Sequence, residues 1–168
     1  WLSALAIGIT LPACACWDDA ARRYNVSGEL LYAIARTESG LNPLAIGRNG
    51  NGSRDIGLMQ INSAWLPTLA AHGINERELF EPCTNIQVGA WLLADGFARR
   101  GATWDAVGAY NAACSQLTGE ACAAARAGYA WKVYRHLPSA SPKAAARPAP
   151  SAPPVATARQ ALRVRVAP

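Results

Sequence analysis

Between Cys16 and Leu137 apolar residues recur at spacings of three and four, the period of helices that bury one face. Ser27 suits an N-cap for a helix through Glu38, with Leu30, Leu31 and Ile34 on its apolar side. A second helix is expected from near Ser63 to Gly73, and Pro67 places its first full turn around that residue. The longest runs from about Thr84 to Arg100, with Ile86, Ala90, Leu93 and Phe97 at helical spacing, and stops at Gly101. Thr103 caps a helix through Asn111, and a last one from about Ala121 to Leu137 sets Tyr129, Val133 and Leu137 on one face. Only residues 45–56 break the period, where Asn49-Gly50-Asn51-Gly52 is a turn signal for a small hairpin. The fold class predicted is mainly α, with a small β-hairpin region.

Composition divides the chain into three. Residues 1–15 are short and apolar up to Leu11, followed by Pro12 and the small-residue series Ala13-Cys14-Ala15. They read as the h-region and cleavage site of a secretory signal whose beginning is not included, leaving Cys16 at the mature end. A lipoprotein box over Leu11-Pro12-Ala13-Cys14 is the weaker reading, because Pro12 fits its second position poorly. Residues 16–137 form the folded domain. Residues 138–168 hold 10 Ala, 7 Pro and 5 basic residues in 31 positions and read as a Pro-rich cationic tail, disordered because too little apolar surface offsets its ordering entropy. Its Arg163-Val164-Arg165-Val166 segment could add a strand to an open sheet edge of a partner.

That tail changes the meaning of the net charge. The +5 comes from 16 Lys and Arg against 11 Asp and Glu, but five of the basic residues lie beyond Leu137 with no acid among them. The remainder carries 11 of each sign, so a nucleic-acid partner is not expected. No apolar run approaches the roughly 18 residues of a membrane helix. If Cys14 leaves with the signal, Cys16, Cys83, Cys114 and Cys122 remain, an even number suited to an oxidising compartment. Four cysteines allow three pairings; a local bridge between Cys114 and Cys122 would leave Cys16 to Cys83. With no Cys-x-x-Cys and only the separate His72 and His136, neither a metal nor a cofactor is expected.

One charge stands in an unusual place. Leu31, Ile34 and Glu38 are spaced by three and four, so the carboxylate shares the buried stripe of its helix. Such a group must be protonated or paired, here with Arg36 or Arg54 if it does not bend to water. Around it stand three segments: Glu-Ser-Gly-Leu-Asn-Pro at 38–43, Gly-Leu-Met-Gln-Ile-Asn at 57–62, and Ala-Tyr-Asn-Ala at 109–112. In this order and spacing they resemble the soluble lytic transglycosylases, the bacterial branch of the goose-type lysozyme superfamily, over essentially all of residues 16–137. The chain looks most like the small exported enzymes that accompany secretion, conjugation or pilus machines. Cys16-Trp17 with Pro82-Cys83 also resembles that subgroup, which supports a Cys16–Cys83 pair. The third motif departs from the family at Ala113, where glycine is common, and this puts the shape of the substrate wall in question.

The resemblance implies a disulfide-bonded, lysozyme-like domain acting on peptidoglycan. Glu38 would protonate the oxygen between N-acetylmuramic acid and N-acetylglucosamine, and the muramic acid's own 6-hydroxyl would close a 1,6-anhydro ring. Asp55, 17 residues later, is a second candidate, at the separation that the two carboxylates of lysozyme show in the general glycosidase scheme. It would stabilise the oxocarbenium ion or steer water. As substrate-binding residues the resemblance gives Ser39 beside the acid, Met59 lining the muramic acid subsite, Gln60 and Asn111 as donors to acetamido groups and hydroxyls, and Tyr110 with its hydroxyl near the acid. The expectation is a monomeric, periplasmic, wall-opening enzyme serving an envelope-spanning apparatus. A muramidase relying on Asp55 and a glycan-binding or docking protein without turnover are the alternatives.

Overall fold

The computed structural model describes residues 13–114 and 116–138. The readings of residues 1–12 and of most of the tail, 139–168, lie outside the described residues. Among the described residues there are six helices and a small sheet: α1 (Ala13–Tyr24), α2 (Gly28–Ser39), α3 (Leu66–Ala70), α4 (Pro82–Arg100), α5 (Trp104–Asn111) and α6 (Gly119–Tyr134). The sheet, inserted between α2 and α3, has strands β1 (Ile46–Arg48), β2 (Arg54–Ile56) and β3 (Ile61–Asn62) in the order β1-β2-β3. Single 3₁₀ turns at Ser63–Trp65 and Glu78–Phe80 lead into α3 and α4.

The expected helices are present, and their ends follow the capping residues. The Ser27 side chain accepts from the Leu30 N–H, and the Thr103 side chain accepts from the Ala106 N–H. Gly40 closes α2 in the left-handed conformation at φ 63°. Pro67 does not start the second helix alone: the 3₁₀ turn takes residues 63–65, and α3 ends at Ala70, short of Gly73. The last helix ends at Tyr134, so Leu137 packs on the core from beyond it. The hairpin forms around the Asn-Gly turn, with Gly47 opposite Asp55, and gains a third strand through Asp55 opposite Asn62. Helix α1 has no counterpart among the predicted elements; its first turn contains Ala13-Cys14-Ala15.

Leu31, Ile34, Ile56, Met59, Ile61, Ile86, Leu93 and Val133 are fully buried and bring α2, the sheet, α4 and α6 into one core. Two polar residues of α4, Asn85 and Gln87, are buried, and Asn85 is the more deeply so. Its Nδ2 donates to the carbonyls of Ile56 (2.9 Å) and Leu79 (2.7 Å), and its Oδ1 accepts the Met59 N–H (2.7 Å). Gly57 permits this at φ 78°, since a Cβ there would lie 2.3 Å from Asn85 Nδ2. The turn after β2 is thereby fixed to α4. Disulfides join Cys16 to Cys83, tying α1 to the start of α4, and Cys114 to Cys122, closing the loop between α5 and α6. Among the described residues no helix is long and apolar enough to cross a membrane.

Candidate active site

A cleft of ≈ 890 Å³ runs between the sheet and the helices, with Glu38, Asp55, Gln60, Tyr110 and Asn111 among its lining residues. Glu38 enters from the last turn of α2, because its place on the Leu31–Ile34 stripe turns it inward just where the apolar core gives way to the cleft. It is half-buried, and Tyr129 of α6 donates its hydroxyl to Glu38 Oε1 at 2.5 Å. Burial, the largest influence, pushes the Glu38 carboxyl above its ordinary value, and the negative charge of Asp55 adds to this. The Tyr129 and Asn111 hydrogen bonds and the Lys132 charge act in the opposite direction and moderate the rise. Glu38 pairs with neither arginine considered for it; Arg54 instead meets Glu76 at 2.5 Å.

Asp55 occupies the middle of β2, the central strand, and faces the same cleft. Its Oδ2 accepts from Asn49 Nδ2 (2.9 Å) and its Oδ1 from Asn62 Nδ2 (2.8 Å), so one amide from the hairpin turn and one from β3 hold the two oxygens. Gly47 on β1 leaves the room this needs, since a Cβ there would stand 3.3 Å from Asp55 Cβ and 3.0 Å from Gln60 Oε1.

Tyr110 donates its hydroxyl to the Met59 carbonyl at 3.0 Å, linking α5 to the turn that Asn85 anchors. Burial first, then the charges of Glu38 and Asp55, raise its pKa well above the ordinary phenol value; burial and Glu38 do the same for Tyr129. Both tyrosines therefore keep their protons and act as permanent donors.

Three of the expected substrate-binding residues have side chains that are engaged within the fold. The Met59 side chain does not reach the cleft: it is fully buried against α4, where Gly89 makes the space and a Cβ would lie 2.3 Å from its Sδ. The Ser39 hydroxyl is consumed by the fold, donating to the Leu58 carbonyl (2.7 Å) and accepting the Asn42 N–H (3.1 Å), and Ser39 does not line the cleft. Gln60 does line it, but its amide hydrogens go to the carbonyls of Gly57 (2.8 Å) and Ala45 (3.3 Å), leaving only its oxygen to offer. Tyr129 was expected only as a core residue; Asn49, Asn62 and Asn85 carried no functional expectation. A hydroxyl-bearing aromatic on the buried face of a helix was the one available signal, since a buried phenol needs a polar partner.

An acid whose carboxyl is raised by burial and a held carboxylate can together protonate a leaving oxygen and stabilise a cationic transition state, while the two phenols, donating to Glu38 and to the Met59 carbonyl, position the acid and the cleft wall. Among the described residues no group of three or more His, Cys, Asp or Glu is placed to hold a metal ion.

Comparison with known proteins identifies the family. The model of the transglycosylase SLT domain matches residues 15–128. Invasion protein IagB of Salmonella typhimurium is 45% identical over 126 residues, covering 73% of this chain and 76% of its own. Protein IpgF of Shigella sonnei is 46% identical over 101 residues, covering 60% and 66%. Among solved structures, an inactive mutant of the lytic transglycosylase Slt of Pseudomonas aeruginosa shares the fold with a TM-score of 0.56 at 22% identity, over 73% of this chain and 23% of that longer one. The chain belongs to the transglycosylase SLT domain family, and is thus a peptidoglycan lytic transglycosylase.

Proposed function

We propose that the enzyme cleaves the β-1,4 bond between N-acetylmuramic acid and N-acetylglucosamine and leaves a 1,6-anhydro end. The observation that carries this is the half-buried Glu38, whose carboxyl is raised above its ordinary value by burial and which lines the cleft. Glu38 gives that proton to the glycosidic oxygen as the bond to C1 breaks, releasing the 4-hydroxyl of the glucosamine. The resulting carboxylate then takes the proton of the muramic acid 6-hydroxyl, whose oxygen closes on C1. Asp55, held by Asn49 and Asn62, supplies negative charge opposite the oxocarbenium ion. Because the nucleophile belongs to the substrate, no covalent enzyme intermediate is needed.

The domain boundaries, the signal and the periplasmic destination belong to the same proposal. They are supported by two cross-links among the described cysteines and by a substrate that lies outside the cytoplasm. The name of the Salmonella relative, an invasion protein, supports local wall opening for an envelope-spanning apparatus. Mass spectrometry of fragments released from purified peptidoglycan tests the chemistry. Sugar ends lighter by one water are expected; reducing ends would make the enzyme a muramidase in which Asp55 activates water, a reading favoured by its placement facing the cleft.

A further inference from the structure

The cleft is not uniform in charge. Among the described residues that line it, the carboxylates Glu38 and Asp55 come from α2 and the sheet, while the cationic side chains are Arg99 and Arg100 in the last turn of α4. Along this helix Leu92, Gly96 and then the two arginines line the cleft at successive turns. The arginines therefore stand two turns beyond Leu92, roughly 10–12 Å along the axis. The space at Gly96, before them, is open: a Cβ there would meet nothing within 4 Å. Arg99 is paired with Asp95 on its own helix, whereas Arg100 makes no ion pair among the described residues. Cations suit the end of a helix whatever its surroundings. That rule accounts for their presence in the last turn; that both exposed arginines also line the cleft is a separate observation.

We propose that Arg100, assisted by Arg99, forms a subsite for a carboxylate of the peptide stem carried by the muramic acid, so that the enzyme selects peptide-bearing strands over naked glycan. This rests on the transglycosylase reading for the identity of the glycan. The stem is the part of peptidoglycan with free carboxylates on a flexible arm, long enough to extend past the sugar floor. Its negative charge is repelled by Glu38 and Asp55 and attracted by the arginine end, which gives the strand a direction in the cleft. The muramic acid's own lactyl carboxylate is the other source of the same chemistry; it stays close to the sugar ring.

The test uses the full chain with Glu38→Gln, so that the wall is bound but not consumed, in co-sedimentation with isolated peptidoglycan. Three preparations are compared: native, with stem carboxylates converted to carboxamides, and stripped of peptides by an amidase. At low salt, amidation is expected to weaken binding about tenfold, the scale of one charge-assisted pair. Adding Arg100→Gln should bring the native-to-amidated ratio close to one without changing the melting temperature, and Arg100→Lys should restore part of it. A charge-matched control, Arg163→Gln in the tail, should leave the ratio intact. The proposal is overturned by a ratio near one in the parent chain, or by a ratio that survives Arg100→Gln. It is also overturned by equal flattening in the Arg163 control, or by stripped strands that bind like native ones and stay sensitive to Arg100. Turnover by the unsubstituted chain is read separately, so absence of anhydro ends would sink the chemistry while leaving the subsite standing on its binding data.

Discussion

The hydroxyl of Tyr129 lies 2.5 Å from Oε1 of Glu38, a hydrogen bond between residues 91 positions apart that joins α6 to the end of α2. It opposes the effect of burial: desolvation favours the protonated acid, and the phenol donor favours the carboxylate. The acid's proton affinity is therefore set by a balance that substitutions tilt in opposite directions.

Removing the donor with Tyr129→Phe should raise the Glu38 pKa further and move the alkaline limb of the kcat/KM profile to higher pH. Asp55→Asn removes a charge that raises the same pKa and should move that limb to lower pH. Profiles measured on one soluble muropeptide substrate would show the two shifts; displacement of both in the same direction refutes the balance. If Asp55→Asn alters neither rate nor products, Asp55 has no part in the chemistry.

Glu38→Gln should abolish turnover and stabilise the fold at neutral pH. The native carboxyl is raised above 4.5, so its favourable contribution is complete below that value and is lost as pH rises through the native pKa. Glutamine keeps an oxygen for Tyr129 and has no charge to desolvate. Thermal melts should show the variant ahead of the parent at pH 7, with the gap closing as pH falls towards 4.5; a gap constant with pH contradicts the raised value.

Asn85→Ala should cost about 3 kcal/mol or more, because it leaves the Met59 N–H and the Ile56 and Leu79 carbonyls without their buried partner at roughly 1–3 kcal/mol each. Urea unfolding gives the number. Since Met59 also receives the Tyr110 hydroxyl, kcat should fall together with stability.

The two cross-links should differ in strength. Chain-entropy arguments give roughly 4 kcal/mol for the Cys16–Cys83 bridge with its separation of 67, and roughly 2–3 kcal/mol for Cys114–Cys122 with a separation of 8. Paired Cys-to-Ser variants in denaturant should rank accordingly. Cys114 and Leu117 line the cleft, so the shorter bridge should show its loss more in KM than in stability.

Local signals were legible where a single residue decides an outcome. Ser27 and Thr103 are caps in the structure as in the sequence, the Asn-Gly turn makes its hairpin, and the stripe of Leu31 and Ile34 turns Glu38 inward. What escaped depends on partners distant in the chain. Strand β3 has two residues and exists because Asp55 finds Asn62, which no local propensity encodes. Tyr129 was legible as buried, but its partner stands on another helix. Met59 was placed in the cleft by resemblance, yet Gly89 opens a seat for it inside the core. Asn85 sits beside Ile86 on α4, and a polar residue next to a buried stripe gave no sign of the three backbone groups it would gather.

The docking of α6 has a consequence for biosynthesis. It is the last helix of the domain to be made, and it brings Tyr129 and Val133 against the rest of the fold. Until it arrives, Glu38 lacks the Tyr129 hydroxyl, the one side-chain donor that reaches it from α6. A chain ending before α6 is accordingly expected to present an acid without its positioning partner, so the geometry of the cleft is completed by the last-made part of the described fold.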